Sequence, residues 1–116
     1  MPVYYLTGDL LFSSRVSGAA ANLGVDLQIV GSVTKLLECA AAVDCQLVLI
    51  DLTLSSLELD AAVQAIRERM PEARIVAYGP HVQEALLTAA TAAGCDEVLS
   101  RGQFDREFPR LLRDAM

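Results

Sequence analysis

Gln46-Leu47-Val48-Leu49-Ile50-Asp51 is a nearly unbroken apolar run that ends on a carboxylate. Such a run, without polar alternation, marks a strand covered on both faces, at the centre of a parallel sheet. Upstream, Val3-Tyr4-Tyr5-Leu6-Thr7 is a second buried strand, and Leu11 to Leu23 is an Ala- and Leu-rich helix closed by Gly24. Val25-Asp26-Leu27-Gln28-Ile29-Val30 alternates, as an edge strand does, and Ser32 or Thr34 caps a helix reaching about Val43. Downstream, a loop with Ser55-Ser56 leads to a helix through Ala61, Ala62, Val63, Ile66 and Met70, stopped by Pro71. Arg74–Tyr78 is the fourth strand, Gly79-Pro80 punctuates, and Val82 to Ala93 is a helix closed by Gly94. Glu97-Val98-Leu99-Ser100 is a short fifth strand. Phe104, Phe108, Leu111 and Leu112 mark a last helix, which Pro109 confines to a short piece starting near Asp105.

Five strand–helix units in strict alternation predict an α/β fold, a doubly wound parallel sheet with helices on both faces. Residues 1–116 read as one domain, with no linker, repeat or attached output domain. Composition narrows the function. The formal net charge is −6, which repels phosphate backbones and argues against nucleic acid as a partner. There is no run of about 18 apolar residues for a membrane span, and no basic segment of a signal peptide precedes the first strand. Cys39, Cys45 and Cys95 are odd in number and sit beside alanines or at strand edges, so they read as small buried hydrophobes in a reducing, cytoplasmic setting. With one histidine they make no zinc pattern, and no GxSxG, GxGxxG or GxxxxGK[ST] motif occurs. No catalytic constellation is present, so the chain is not expected to be an enzyme.

In a doubly wound sheet, sites form at the carboxyl ends of the strands. Those ends carry Thr7, Gly8 and Asp9; Asp51 and Thr53; Tyr78, Gly79 and His81; and Ser100, Arg101 and Gly102. Asp51 carries the most information, because a carboxylate closing an apolar run is costly unless solvated, paired or functional. His81 reads as a solvated loop residue near a helix N-terminus. Tyr4 and Tyr5 are adjacent, so they face opposite sides of the first strand, both into the core.

Leu47-Val48-Leu49-Ile50-Asp51-Leu52 resembles the third strand and phosphoacceptor of response-regulator receiver (CheY-like) domains. Ala92-Ala93-Gly94-Cys95-Asp96-Glu97-Val98-Leu99-Ser100-Arg101 is similar to that family's AGAxxYLxK segment. Gly79 stands 28 residues beyond Asp51 (79 − 51) and Arg101 stands 50 beyond it (101 − 51), offsets that suit the family's hydroxyl residue and its lysine. The resemblance spans the chain. It implies a flavodoxin-like sheet in the order 2-1-3-4-5 and a place in two-component signalling, with Asp51 as phosphoacceptor candidate and a phosphorelay as context.

The resemblance also exposes departures. A working receiver holds Mg²⁺, which needs a tight octahedron of hard oxygens, with an acidic pair after the first strand, the acceptor Asp and a main-chain carbonyl two residues on. Thr53 can supply that carbonyl. The acidic pair falls on Thr7 and Gly8, and Asp9 reaches the second acidic place only through a one-residue slip, so Asp9 and Asp51 form a weak metal set. The hydroxyl residue maps to Gly79, with Tyr78 beside it as a substitute whose phenol the strand's alternation points elsewhere. The lysine maps to Arg101, the following Pro to Gly102 and the aromatic switch to Val98, while Ser55 and Leu59 stand where Pro and Gly are preferred. Asp51 and Arg101 are then expected to form a permanent ion pair. Receivers usually meet partners on the fourth helix, fifth strand and fifth helix, which here carry Val82, Leu86, Ala90, Phe104, Phe108 and Leu112; most of these also read as ordinary helix core, and the face that remains is expected to suit a modest protein interface or an isologous homodimer.

Three readings stay open. One is a phosphorylation-impaired pseudo-receiver working as a protein–protein interaction module without a cofactor. The second is an atypical receiver accepting a phosphoryl group on Asp51 with weakly bound Mg²⁺. The third is a flavodoxin-like domain binding a nucleotide or flavin, for which Gly8 and Gly79-Pro80 are the only cradle-like features.

Overall fold

The apolar run 47–51 forms the central strand of the computed structural model, which describes residues 2–40, 45–55 and 57–116. The strands are β1 (Val3–Leu6), β2 (Leu27–Val30), β3 (Leu47–Asp51), β4 (Arg74–Gly79) and β5 (Glu97–Ser100). They alternate with helices α1 (Leu10–Leu23), α2 (Val33–Cys39), α3 (Leu59–Arg69), α4 (Glu84–Ala93) and α5 (Arg101–Asp114). The sheet is parallel throughout, in the order β2-β1-β3-β4-β5. All five residues of β3 are buried, whereas β2, paired only with β1, keeps Gln28 and Ile29 exposed. The expected ends at Val43 and Ser56 fall outside the described residues.

Strand alternation builds two cores. Tyr4, Leu6, Val48, Ile50, Ile75 and Ala77 face α2, α3 and α4, meeting Leu36, Val63, Ile66 and Ala90. Val3, Tyr5, Leu47, Leu49, Val76 and Tyr78 face α1 and α5, meeting Phe12, Val16, Phe104, Phe108, Leu111 and Leu112. Each large apolar side chain buried in this way stabilises the fold by about 1.5–3 kcal/mol before entropy is subtracted. Tyr4 and Tyr5 thus enter opposite cores, as the alternation requires.

Local chemistry sets the element ends. Gly24 takes a left-handed φ of 73° after α1, its amide and that of Val25 bonding back to the last turn, so β2 starts at Leu27 rather than at Val25. Gly94 closes α4 in the same way at φ 102°. Gln83 N–H bonds Pro80 C=O in a turn, so α4 starts at Glu84 and not at Val82. The last helix differs most from expectation. It starts at Arg101, not near Asp105, and runs for 14 residues with Pro109 inside it. Its start is fixed by a capping box, in which Ser100 Oγ accepts from Gln103 N–H and the Gln103 side chain accepts from Ser100 N–H. Burial of Phe104, Phe108, Leu111 and Leu112 on one stripe outweighs the proline's local cost.

The buried stripe corrects the proposed interaction face. Phe104, Phe108, Leu112 and Ala90 are core, and Leu86 is half-buried, so of the side chains named for that face only Val82 stands free in solvent. The cysteines also divide. All three are free thiols, Cys45 is buried and Cys95 half-buried, but Cys39 at the end of α2 is exposed, against the expectation that all three pack inside.

Candidate functional site

Strands β1, β3, β4 and β5 end along one edge of the sheet, and the polar side chains there meet in two separate groups. The first surrounds Asp51. As the last residue of β3 it shares the face of Leu47 and Leu49, and its side chain is held at 2% exposure. Thr7, just past β1, donates its hydroxyl to Asp51 Oδ2 at 2.7 Å. Thr53 folds back in a tight turn and donates both its amide, at 2.9 Å, and its hydroxyl, at 2.6 Å, to Asp51 Oδ1. Both carboxylate oxygens therefore carry hydrogen bonds from neutral donors, which is how a buried carboxylate is satisfied without a counter-ion.

The second group surrounds Asp9. This residue caps α1, with Oδ1 accepting from the amides of Leu11 and Phe12, each at 3.0 Å. Its other oxygen, Oδ2, takes the Arg101 guanidinium at 2.7 Å, and that guanidinium lies 4.5 Å over the Phe12 ring. The Phe12 amide above all, with Arg101 behind it, holds the Asp9 carboxyl below the ordinary carboxylate range. The expected Asp51–Arg101 ion pair is therefore replaced by an Asp9–Arg101 pair. Arg101 lies at the first turn of α5, where the partly exposed rim of α1 is within reach, and Asp51 has already been filled by hydroxyls.

The two groups touch at Thr7, whose Oγ1 also accepts from Asp9 N–H at 3.0 Å. Behind Thr7 lies a buried phenol pair. Tyr5 and Tyr78 hydroxyls are 2.5 Å apart, hydrogen-bonded to each other. Burial pushes the Tyr5 phenol up to about 12 and raises Tyr78 further. Tyr78 therefore points into the α1–α5 core, as the alternation of β4 predicts. Gly79 faces the other side. A methyl group there would stand 3.4 Å from Leu52 Cβ and 3.7 Å from Leu87, so leucine side chains wall the place next to the end of β4. His81 is exposed in the loop before α4, and Gly8 and Gly102 are exposed at the rim.

Thr53 is thus brought to Asp51 by its amide and hydroxyl, whereas Arg101 and Asp9 are brought to each other. Sequence reasoning missed Thr7 as a partner of Asp51, since it counted Thr7 only as a missing acid. The signal was the shared parity of Tyr5 and Thr7 with Asp51's neighbour Tyr78, its register partner on β4. Phe12 as the platform for Arg101 had no signal in spacing.

The architecture defines the class: a flavodoxin-like, doubly wound α/β domain with the 2-1-3-4-5 order. Within that class the chain has the fold of response-regulator receiver domains. The receiver domain of the TMAO respiratory response regulator TorR superposes with a TM-score of 0.84 at 16% identity, covering 97% of this chain and 93% of that one. The NtrX receiver domain from Brucella abortus gives 0.80 at 16% identity, with 97% and 96% covered. The signal receiver domain of an HD-domain protein from Pseudomonas fluorescens Pf-5 gives 0.82 at 18% identity, with 98% and 85% covered. By sequence, no family model and no curated protein matches the chain. Among the described residues, no helix is long and apolar enough to cross a membrane.

Proposed function

We propose that this chain is a receiver-like signalling module of the two-component type, a pseudo-receiver that works through protein contact and is not an enzyme. The observation that carries this reading is the state of Asp51, buried with both oxygens bonded by Thr7 and Thr53. Phosphoryl transfer needs an accessible oxygen in line with the phosphorus and cations over the developing charge. Here the nearby cation, Arg101, is spent on Asp9. The donor set also does not fit Mg²⁺. Asp9 is committed to a helix end and a guanidinium, position 8 is a glycine, and the described residues contain no group of three or more metal-ligating side chains.

A contact role also agrees with the rim of the sheet. Leu10, Leu11 and Val82 stand 85%, 73% and 75% exposed at the carboxyl ends of β1 and β4, more apolar surface than a site for a hydrated ion and a phosphate requires. A protein partner, or a second copy of the chain, in the cytoplasm is the setting this reading calls for.

Amide spectra recorded with Mg²⁺, then with beryllofluoride or a small phosphodonor, test it. The expected result is no saturable shift at Thr7, Asp9, Asp51 or Thr53. Saturable shifts there that vanish in Asp51→Asn replace this reading with that of an atypical phosphate-accepting receiver.

A further inference from the structure

Helix α1 differs from the other helices in what it shows to solvent. Of its 14 residues it carries a single charge, Arg15, and no acid, whereas among the described residues each other helix carries at least one acid. Arg15 is itself drawn toward α5, where it meets Asp105 and lies 5.6 Å over the Phe12 ring and 5.7 Å over that of Phe108. The solvent face that remains is Leu10, Leu11, Ser14, Gly18 and Ala21, all exposed, the two leucines at 85% and 73%. Gly18 sits inside the helix, where glycine is unfavourable, and a methyl group there would meet nothing within 4 Å. Among the described residues nothing therefore calls for a glycine at this place.

The two ends of this face fit each other. Leu10 and Ala21 are 11 residues apart (21 − 10), and Leu11 and Gly18 are 7 apart (18 − 11). At 3.6 residues per turn, the members of each pair lie within about 20° of one line along the helix. One end of that line is bulky and the other small. Antiparallel packing on a second copy sets Leu10 of one over Ala21 of the other, and Leu11 against Gly18, where the missing side chain lets the backbones approach. Charge selects the same occupant. The chain carries −6, so two copies repel wherever their acids face each other. A two-fold axis sets the residues near it against their own images, so an isologous contact of an acidic chain needs a face free of acids. The solvent face of α4 is small too, but it starts with Glu84, and its Leu86 and Leu87 are half-buried, so no large side chain projects from it.

We propose that two copies of this chain associate through antiparallel packing of their α1 helices, with Leu10 and Leu11 of each over the Gly18–Ala21 end of the other. The inference rests on the reading of the chain as a contact module and gives that module a second copy of itself as partner. The contact lies on the face of the sheet opposite α4.

Sedimentation equilibrium of the full chain from about 10 µM to about 1 mM tests it, the range in which a small interface dissociates. The parent is expected to pass from monomer to dimer across that range. Gly18→Glu is expected to raise the dissociation constant at least about tenfold, because a carboxylate is pressed against Leu11 of the other copy and lies near its own image. Glutamate favours a helix more than glycine does, so this loss of association does not come from unfolding. Adding Leu11→Lys to Gly18→Glu is expected to bring the dissociation constant back toward that of the parent. The two new charges are opposite and meet across the antiparallel pair, while within one helix they stand two turns apart. Ala89→Glu on α4, also at a small exposed position, is expected to leave association unchanged. A parent that stays monomeric, a dimer indifferent to Gly18→Glu, a double variant no tighter than Gly18→Glu alone, or dissociation by Ala89→Glu overturns the proposal. None of these readouts uses Mg²⁺ or beryllofluoride. A monomeric parent leaves the pseudo-receiver reading standing with another protein as partner, and saturable shifts at Asp51 would end that reading with the dimer intact.

Discussion

Arg101 reaches across 92 residues of sequence to bind Asp9 at 2.7 Å and leaves Asp51, the deeper and more enclosed carboxylate, to neutral donors. A permanent charge placed at the rim of a site but not on its central acid gives the carboxyl edge a fixed structure. It also makes the pair testable apart from Asp51.

The first prediction concerns this pair. Both side chains are partly exposed, at 43% and 21%, so the pair itself contributes about 0.5–1 kcal/mol. Arg101→Gln should cost about that much in urea unfolding. Asp9→Ala should cost about 1–2 kcal/mol, because it also uncaps α1. The Asp9 pKa is lowered in the fold, so its contribution is present above the ordinary carboxylate value of 3.8 and is lost as pH falls below it. An Arg101→Gln chain more stable than the parent at neutral pH would contradict the pairing.

Thr7→Val should destabilise more than its size suggests. The swap keeps the shape but leaves Asp51 Oδ2 without its donor in a buried setting, at a cost of about 1–3 kcal/mol. Thr53→Val removes one of two donors to Oδ1 and keeps the amide, so its cost should be smaller, about 1 kcal/mol. Chemical denaturation of the two variants side by side gives the order, and a larger loss for Thr53→Val would refute it.

Pro109→Ala should stabilise the chain. A helix-interior proline costs about 3 kcal/mol against alanine, part of which is returned by its stiffening of the unfolded chain, leaving an expected gain of about 1–2 kcal/mol. The thermal midpoint should rise. A fall would mean that the pyrrolidine ring packs in a way alanine cannot replace.

Alkaline titration reads the buried phenols. Burial raises Tyr4, Tyr5 and Tyr78 above the ordinary value of 10.0, Tyr5 to about 12. Folding thus favours the neutral phenol. The stabilisation is complete below pH 10 and is lost as pH rises from there through the folded values. These three are all the tyrosines in the chain, so ultraviolet absorbance should show little ionisation near pH 10 and then a cooperative rise coinciding with loss of near-ultraviolet circular dichroism. An independent, non-cooperative titration near the ordinary value would show the Tyr5–Tyr78 pair to be open.

The amino-acid sequence determined the sheet. Apolar runs at 3–6 and 47–50, helix-ending Gly24 and Gly94 and the edge pattern of residues 27–30 act locally, through backbone geometry and period, and can be read in one dimension. The place of Asp51 at a strand end was legible for the same reason. Tertiary structure alone decided which charges and hydroxyls meet. Whether Arg101 would reach Asp9 or Asp51 depended on where the Ser100 capping box starts α5 and on the Phe12 ring beneath the guanidinium. Whether Phe104 and Phe108 would be surface or core depended on a helix long enough to override Pro109. Periodicity tells each residue which way to face. Its partners come from distant parts of the chain and are chosen by packing and by hydrogen bonds that no local pattern encodes.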